Sequence, residues 1–239
     1  MTAVKHSQPS RSPDRGARLP GIVLALVALA TALGGCSGRG AAEAYHRTQP
    51  SELYLYTPPN YETDIPTQLL LGLHGEGEDA FDCFDFWRTY ADTNGLVLLC
   101  PALPYSDGRM DRAAGQVLIG QALQTAYAEL NLRGTFLIVG HREGGSLALQ
   151  YTSQFPQAIS GVAAIDSEEL PALTGAAQMP VLILAHSGNR TASEAAQAYV
   201  DQMVSWGVAI RLVELDESGD RLTKDDGRLT SEFLAQTLR

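Results

Sequence analysis

The apolar run Phe136-Leu137-Ile138-Val139 leads directly into Gly140-His141-Arg142-Glu143-Gly144-Gly145, followed by Ser146-Leu147-Ala148-Leu149-Gln150. This pattern predicts a buried strand, a turn too tight for most side chains, and the start of a helix. A strand that turns at once into a helix belongs to a sheet with helices packed on it, so this stretch constrains the fold more than any other. At the centre of the turn stands Arg142, whose guanidinium stays protonated and has no lone pair with which to attack a carbonyl.

The rest of the chain repeats the alternation. Strands are expected at 52–56 (an antiparallel edge), 68–73, 96–100, 135–139, 161–165, 181–185 and 209–215. Helices are expected at 84–94, 111–130, 143–155, 193–206 and 228–238. Such alternation implies a mostly parallel sheet with helices on both faces, an α/β fold. Ligands of such sheets bind beyond the carboxyl ends of the strands. About fifteen residues separate Ile165 from Val181, too few for a helical cap, so an open, shallow crevice is expected.

The first 35 residues read as a signal peptide. Lys5, Arg11, Arg15 and Arg18 precede an uncharged stretch, Gly21 to Leu33, that is too short to span a bilayer. It ends in Leu33-Gly34-Gly35-Cys36, which resembles the bacterial lipobox; the alternatives are a plain secretory signal or a short apolar anchor. The lipobox reading makes Cys36 the lipidated residue, residues 36–47 a tether and residues 48–239 one domain. It places the protein outside the cytoplasm with a membrane as partner. Loss of residues 1–35, with four basic side chains and one acidic, takes the net charge from −10 to about −13. Such a surface repels nucleic acid. Cys83 and Cys100 remain as an even pair, either a disulfide or two buried thiols.

Four landmarks together resemble the α/β-hydrolase family, nearest to small secreted esterases and polyhydroxyalkanoate-depolymerase-like proteins. Leu71-Gly72-Leu73-His74-Gly75 resembles the strand and turn that hold half of the oxyanion hole. Gly140 to Gly145 resembles the nucleophile elbow, G-x-S-x-G. Val181 to His186 resembles the strand before the triad acid, and Glu217-Ser218-Gly219-Asp220-Arg221-Leu222 the loop that carries the triad histidine.

The resemblance implies a serine, an acid and a histidine in that chain order. Matched residue by residue, the serine falls on Arg142, the acid on Arg190 beside Asn189, and the histidine on Asp220. The chain's histidines are His6, His46, His74, His141 and His186, and none follows position 186. All three triad positions are therefore substituted, and no catalytic residue is expected. Ser146 and Ser187 read as a helix-packing serine and a strand-end cap. No ligand spacing links His74, His141 and His186, so neither a metal site nor a cofactor is expected.

What remains is the oxyanion side of the crevice: His74, Gly75 and the amides of Glu143 and Gly144, expected to point donors at a carbonyl or anion. Arg142 and Asp220 are expected to form an ion pair where serine and histidine would touch, with Arg190 within reach of Asp220 or Glu217; the alternative is an open surface of drifted charges. Asp166, Glu76, Glu78, Asp216 and Glu217 are expected on the rim. The chain thus reads as a membrane-anchored pseudo-hydrolase that binds a small molecule or protein at its crevice; the alternative is an active serine esterase or acyl hydrolase with a non-standard site.

Overall fold

The computed structural model describes residues 42–173 and 179–237. The expected signal peptide, Cys36 and the first part of the expected tether lie outside the described residues. Eight strands form one sheet: β1 (Glu43–Arg47), β2 (Leu53–Thr57), β3 (Thr67–Leu73), β4 (Val97–Pro101), β7 (Leu132–His141), β8 (Ile159–Ile165), β9 (Val181–His186) and β10 (Ile210–Leu215). A two-stranded hairpin, β5 (Tyr105–Ser106) with β6 (Arg109–Met110), lies between β4 and β7 in the chain. The sheet order is β1-β2-β4-β3-β7-β8-β9-β10. Pairing is antiparallel for β1·β2 and β2·β4 and parallel throughout the rest.

Strand side chains alternate between two apolar layers, as the two-residue period of a strand requires. Leu69, Leu71, Ile138 and Ile183 face helices α2 (Arg112–Glu129), α3 (Glu143–Gln154) and α4 (Arg190–Ser205). Leu70, Leu137, Val139, Leu182 and Leu184 face α1 (Ala80–Asn94) and α5 (Lys224–Thr237). Each central strand is thus apolar on both sides, which explains its continuous apolar run. No cap domain stands among the described residues, and none of their helices is long and apolar enough to cross a membrane.

The structure departs from the sequence reading at element starts. Residues 43–47, read as tether, add an antiparallel strand outside β2, so 53–57 is not the edge. Three helices begin three or four residues early because polar side chains cap them. Asp79 accepts from the amides of Phe81 and Asp82 at 2.8 and 2.9 Å, and Asp82 reaches back to the Asp79 amide. Asn189 accepts from Ala192 N–H at 3.2 Å. Thr223 and Asp226 cap α5 reciprocally, the Asp226 carboxylate accepting from the Thr223 amide at 2.8 Å and the Thr223 hydroxyl accepting from the Asp226 amide at 3.3 Å.

Of the two cysteine readings, the disulfide holds. Cys83, in the first turn of α1, is bonded to Cys100 in β4 across a Cα–Cα distance of 6.1 Å, with both residues buried. Gly72 lies against both sulfurs, and a Cβ there would meet Cys83 Sγ at 2.5 Å and Cys100 Sγ at 3.0 Å. The bridge spans 17 residues. A loop of that size removes about 3 kcal/mol of chain entropy from the unfolded state. Denaturant titration of the double variant Cys83→Ser/Cys100→Ser should show a loss of about that size, and reduction of the unmodified protein should show a loss of similar size.

Candidate functional site

The sheet's register sets the site. Leu73 pairs with Gly140, His141 with Ile165, and Ile165 with Leu184. The residues just beyond β3, β7 and β8 (His74, Arg142 and Asp166) therefore leave the sheet at one edge, beside the end of β9 at His186. Strand order reverses between β3 and β7, which opens a crevice there.

The turn from β7 into α3 is closed by three glycines. A Cβ on Gly140 would overlap the Gly144 backbone, one on Gly144 the carbonyls of Leu73 and His74, and one on Gly145 the Ser167 hydroxyl. The turn places Arg142 at φ 52° and ψ −118°, a conformation that strains any residue with a side chain. Four hydrogen bonds hold it there. Its N–H donates to Ile165 O at 2.7 Å, and its carbonyl accepts from Gly145 N at 3.0 Å, Ser146 N at 3.1 Å and Ser167 Oγ at 2.9 Å. The elbow is therefore built in full around a guanidinium.

The expected ion pair of Arg142 with Asp220 is not formed. Among the described residues the Arg142 guanidinium makes no ion pair. It is half-buried beside a hollow of about 60 Å³, shared with Arg112, Glu143, Asp166 and Glu169. Arg112 itself pairs with Glu169. Asp220 is exposed and lines a different cleft, because Gly219 takes the position facing the strand ends. Gly219 adopts φ 77°, and a Cβ there would meet Asp166 Oδ2 at 2.7 Å, Asn189 Cβ at 3.1 Å and His186 Cβ at 3.2 Å. Arg190 also departs from expectation. On the early-starting α4 it donates through Nε to Glu194 at 2.6 Å and reaches neither Asp220 nor Glu217.

The oxyanion side is altered too. The Gly75 amide, expected to point into the crevice, donates to Glu78 Oε2 at 2.9 Å, and the Glu76 amide donates to Glu143 Oε2 at 3.1 Å. The chain's own carboxylates take those donors. Glu143 and Gly144 lie in the first turn of α3 as expected. His74 is structural: its Nε2 accepts from Leu103 N–H at 2.9 Å while Nδ1 donates to Gly75 O at 3.1 Å. Burial holds its pKa below the ordinary value, in keeping with a neutral ring. The Tyr105 hydroxyl donates to the His74 carbonyl at 3.1 Å, and burial pushes its pKa up. His141 Nδ1 lies 2.9 Å from Glu78 Oε1. Burial raises the Glu78 pKa, but the hydrogen bond and charge of His141, with the Gly75 amide, hold it below its ordinary value overall.

The two serines near the crevice make local hydrogen bonds. Ser146 Oγ is buried and lies 3.5 Å from the Arg142 carbonyl, and Ser187 Oγ donates to Asp216 at 2.8 Å. Neither is bonded to an imidazole that would take its proton.

One deeper cluster was not anticipated. Asp166, expected on the rim, is fully buried at φ 49°. Its Oδ1 accepts the His186 backbone N–H at 2.8 Å, and its Oδ2 is hydrogen-bonded to His186 Nδ1. On the other side of the ring, His186 Nε2 lies 3.2 Å from Asp226 Oδ1 and 3.6 Å from Glu217 Oε2. Hydrogen bonding to Asp166, then the Asp226 carboxylate, push the His186 pKa up to about 10 against desolvation. His186, Glu217 and Asp226 are the one group among the described residues whose donor atoms converge as metal ligands would. The signal that could have found Asp226 is the capping box Thr223-Lys224-Asp225-Asp226, which starts α5 early and turns the last of these residues inward.

A larger cleft of about 450 Å³ opens between the β3–α1 loop, α1 and the β10–α5 loop. Glu76, Glu78, Asp82, Asp85 and Asp220 line it against a single Arg221, with Phe81, Phe86 and Trp87 among its walls.

The strain at Arg142 is measurable. A non-glycine residue held in this region costs on the order of 1–3 kcal/mol, and among the described residues no ion pair of the side chain offsets it. Arg142→Gly, after the entropy cost of glycine, should stabilise the fold by about 1 kcal/mol in denaturant titrations. Arg142→Ala, which keeps the strained backbone, should give no gain.

No family model and no curated protein matches this chain. Solved structures do. A carboxylesterase from Mesorhizobium loti is 17% identical with a TM-score of 0.65, covering 80% of this chain and 98% of that one. A dienelactone hydrolase from Anabaena variabilis is 16% identical with a TM-score of 0.61, covering 82% and 97%. The fluorophosphonate-binding serine hydrolase F of Staphylococcus aureus is 12% identical with a TM-score of 0.63, covering 84% and 100%. With the sheet order and the elbow described above, these likenesses show that the chain has the α/β-hydrolase fold.

Proposed function

We propose that this protein is a lipid-anchored, extracytoplasmic pseudo-hydrolase, tethered through Cys36, whose domain binds rather than hydrolyses. The observation that carries this reading is the elbow: its strained backbone is complete, yet it presents a guanidinium that forms no ion pair among the described residues. A serine hydroxyl needs an imidazole to take its proton, and the loop after β10, which would have to supply it, offers the exposed Asp220. The carboxylates of Glu78 and Glu143 on the Gly75 and Glu76 amides also repel an oxyanion from that side of the crevice. The Cys83–Cys100 disulfide supports an oxidising compartment outside the cytoplasm.

The 450 Å³ cleft is the binding site in this reading. Five carboxylates against one arginine focus a negative potential there. The ligand class it suits is a positively charged small molecule or a basic segment of a partner protein.

Labelling by a fluorophosphonate probe alongside turnover of short acyl esters tests the loss of catalysis. The full chain should neither take up the probe nor turn over ester above the buffer rate. Arg142→Ser should remain silent, because a hydroxyl alone lacks its base. Robust labelling of the unmodified protein that disappears with Ser146→Ala would establish the alternative, an active serine hydrolase with a displaced nucleophile.

A further inference from the structure

We propose that His186, Glu217 and Asp226 form a binding site for a divalent transition ion, Zn²⁺ by preference, that ties the end of β9 to the β10–α5 loop and the first turn of α5. Three atoms converge here: His186 Nε2, Glu217 Oε2 and Asp226 Oδ1, all within 4.8 Å of one another. Each is shielded from solvent, and none has a hydrogen-bond partner among the described residues. His186 and Asp226 are fully buried, so two of the three side chains pay for desolvation without a partner on these atoms.

The spacing fits a coordination sphere. Zinc–nitrogen and zinc–oxygen bonds of about 2.0–2.2 Å in a tetrahedron put neighbouring donors about 3.3–3.5 Å apart. The two separations from Nε2 are 3.2 and 3.6 Å. One imidazole nitrogen with two carboxylate oxygens is a donor set that a borderline ion accepts, and three protein ligands leave a fourth position for water.

The surrounding charges and hydrogen bonds point the same way. Asp166 holds His186 Nδ1 and so aims Nε2 at the two carboxylates; an ion binding there displaces the Nε2 proton and takes up that nitrogen's lone pair. Asp166, Asp226 and the partly buried Glu217 bring three negative charges around one imidazole, and no lysine or arginine pairs with them among the described residues. A proton on Nε2 would supply a single positive charge. At 3.2 Å from Asp226 Oδ1 and 3.6 Å from Glu217 Oε2 that one charge faces two carboxylates at once. A divalent ion supplies the missing charge and bonds to all three atoms at once. An ion held there also fixes the loop whose Gly219 seals the strand ends and whose Asp220 lines the acidic cleft.

The proposal is tested by calorimetric titration of the full chain, stripped with EDTA, with ZnCl₂ in a weakly chelating buffer. One ion should bind per chain and raise the melting temperature. Co²⁺ in its place should give the visible ligand-field absorption of a four-coordinate site. Glu217→Gln changes a partly exposed loop residue, and Asp226→Asn keeps an oxygen for the cap of α5. Each should weaken Zn²⁺ binding by at least about 100-fold while the circular dichroism stays native. Asp166→Asn, acting through the ring, should cost about 10–100-fold. Absence of saturable one-to-one binding in natively folded protein would overturn the proposal. So would binding that persists unchanged in both Glu217→Gln and Asp226→Asn, which would locate the ion elsewhere, as at the exposed His46–Glu52 pair.

Discussion

The close crossing of β7 and α3 is the contact on which the rest of the domain depends. Gly140, Gly144 and Gly145 bring backbone against backbone, and against Ser167, where any Cβ would collide. That approach seats α3 on the sheet, with Leu147, Ala148 and Leu149 fully buried. It also leaves Arg142 no relaxed conformation. The strained φ of 52° is thus a consequence of helix packing, held by hydrogen bonds from the Arg142 N–H and carbonyl to Ile165, Gly145, Ser146 and the Ser167 hydroxyl, and it persists whatever side chain the position carries. In an esterase the same strain exposes a nucleophile. Here the same strain carries an arginine, so the geometry of an elbow is evidence of packing before it is evidence of catalysis.

The glycine code was legible in the sequence because its cause is local. A residue that must tolerate close backbone approach can only be glycine, and the pattern Gly140 to Gly145 announces it. The buried strands were legible for a similar reason, since residues such as Leu69 to Leu73 face apolar layers on both sides. Helix starts were less so. Asp79, Asn189 and Thr223 recruit three or four polar residues into each helix before its apolar periodicity begins, and a reading keyed to apolar spacing misses them. β1 was missed because its five residues are largely exposed and carry only the weak alternation of an edge strand.

Side-chain partners were the least legible. Arg142 and Asp220 are complementary in charge, and matching them to a serine–histidine pair assumed that the loop after β10 enters the crevice with a side chain. Gly219 enters instead, pressed against Asp166 and His186, and its φ of 77° turns Asp220 out to the acidic cleft. Likewise Gly75 promised a free amide, but Glu78, three residues on, folds back to take it. Asp166 looked like a rim carboxylate because it follows a strand; its burial depends on His186, twenty residues away, and the pair exists only once β8 and β9 lie side by side. Sequence spacing fixes which elements are neighbours far better than it fixes which of two adjacent residues turns inward.

The distribution of charge across the strand ends follows one physical rule. At the elbow a guanidinium stays half-exposed, where water screens it and no partner is needed. Beside β9, where Asp166, His186 and Asp226 are sealed from solvent, screening is lost and every charge must be met by another. Surface charges can vary in position at little cost, but a buried carboxylate cannot. The Asp166–His186 pair is accordingly hydrogen-bonded along the full peptide and ring edge, and Asp226 is anchored through its second oxygen by Thr223. The ordered electrostatics of this domain therefore lie one layer beneath the crevice, where burial enforces them, while the exposed Asp220 and Arg190 carry charges that burial leaves unconstrained.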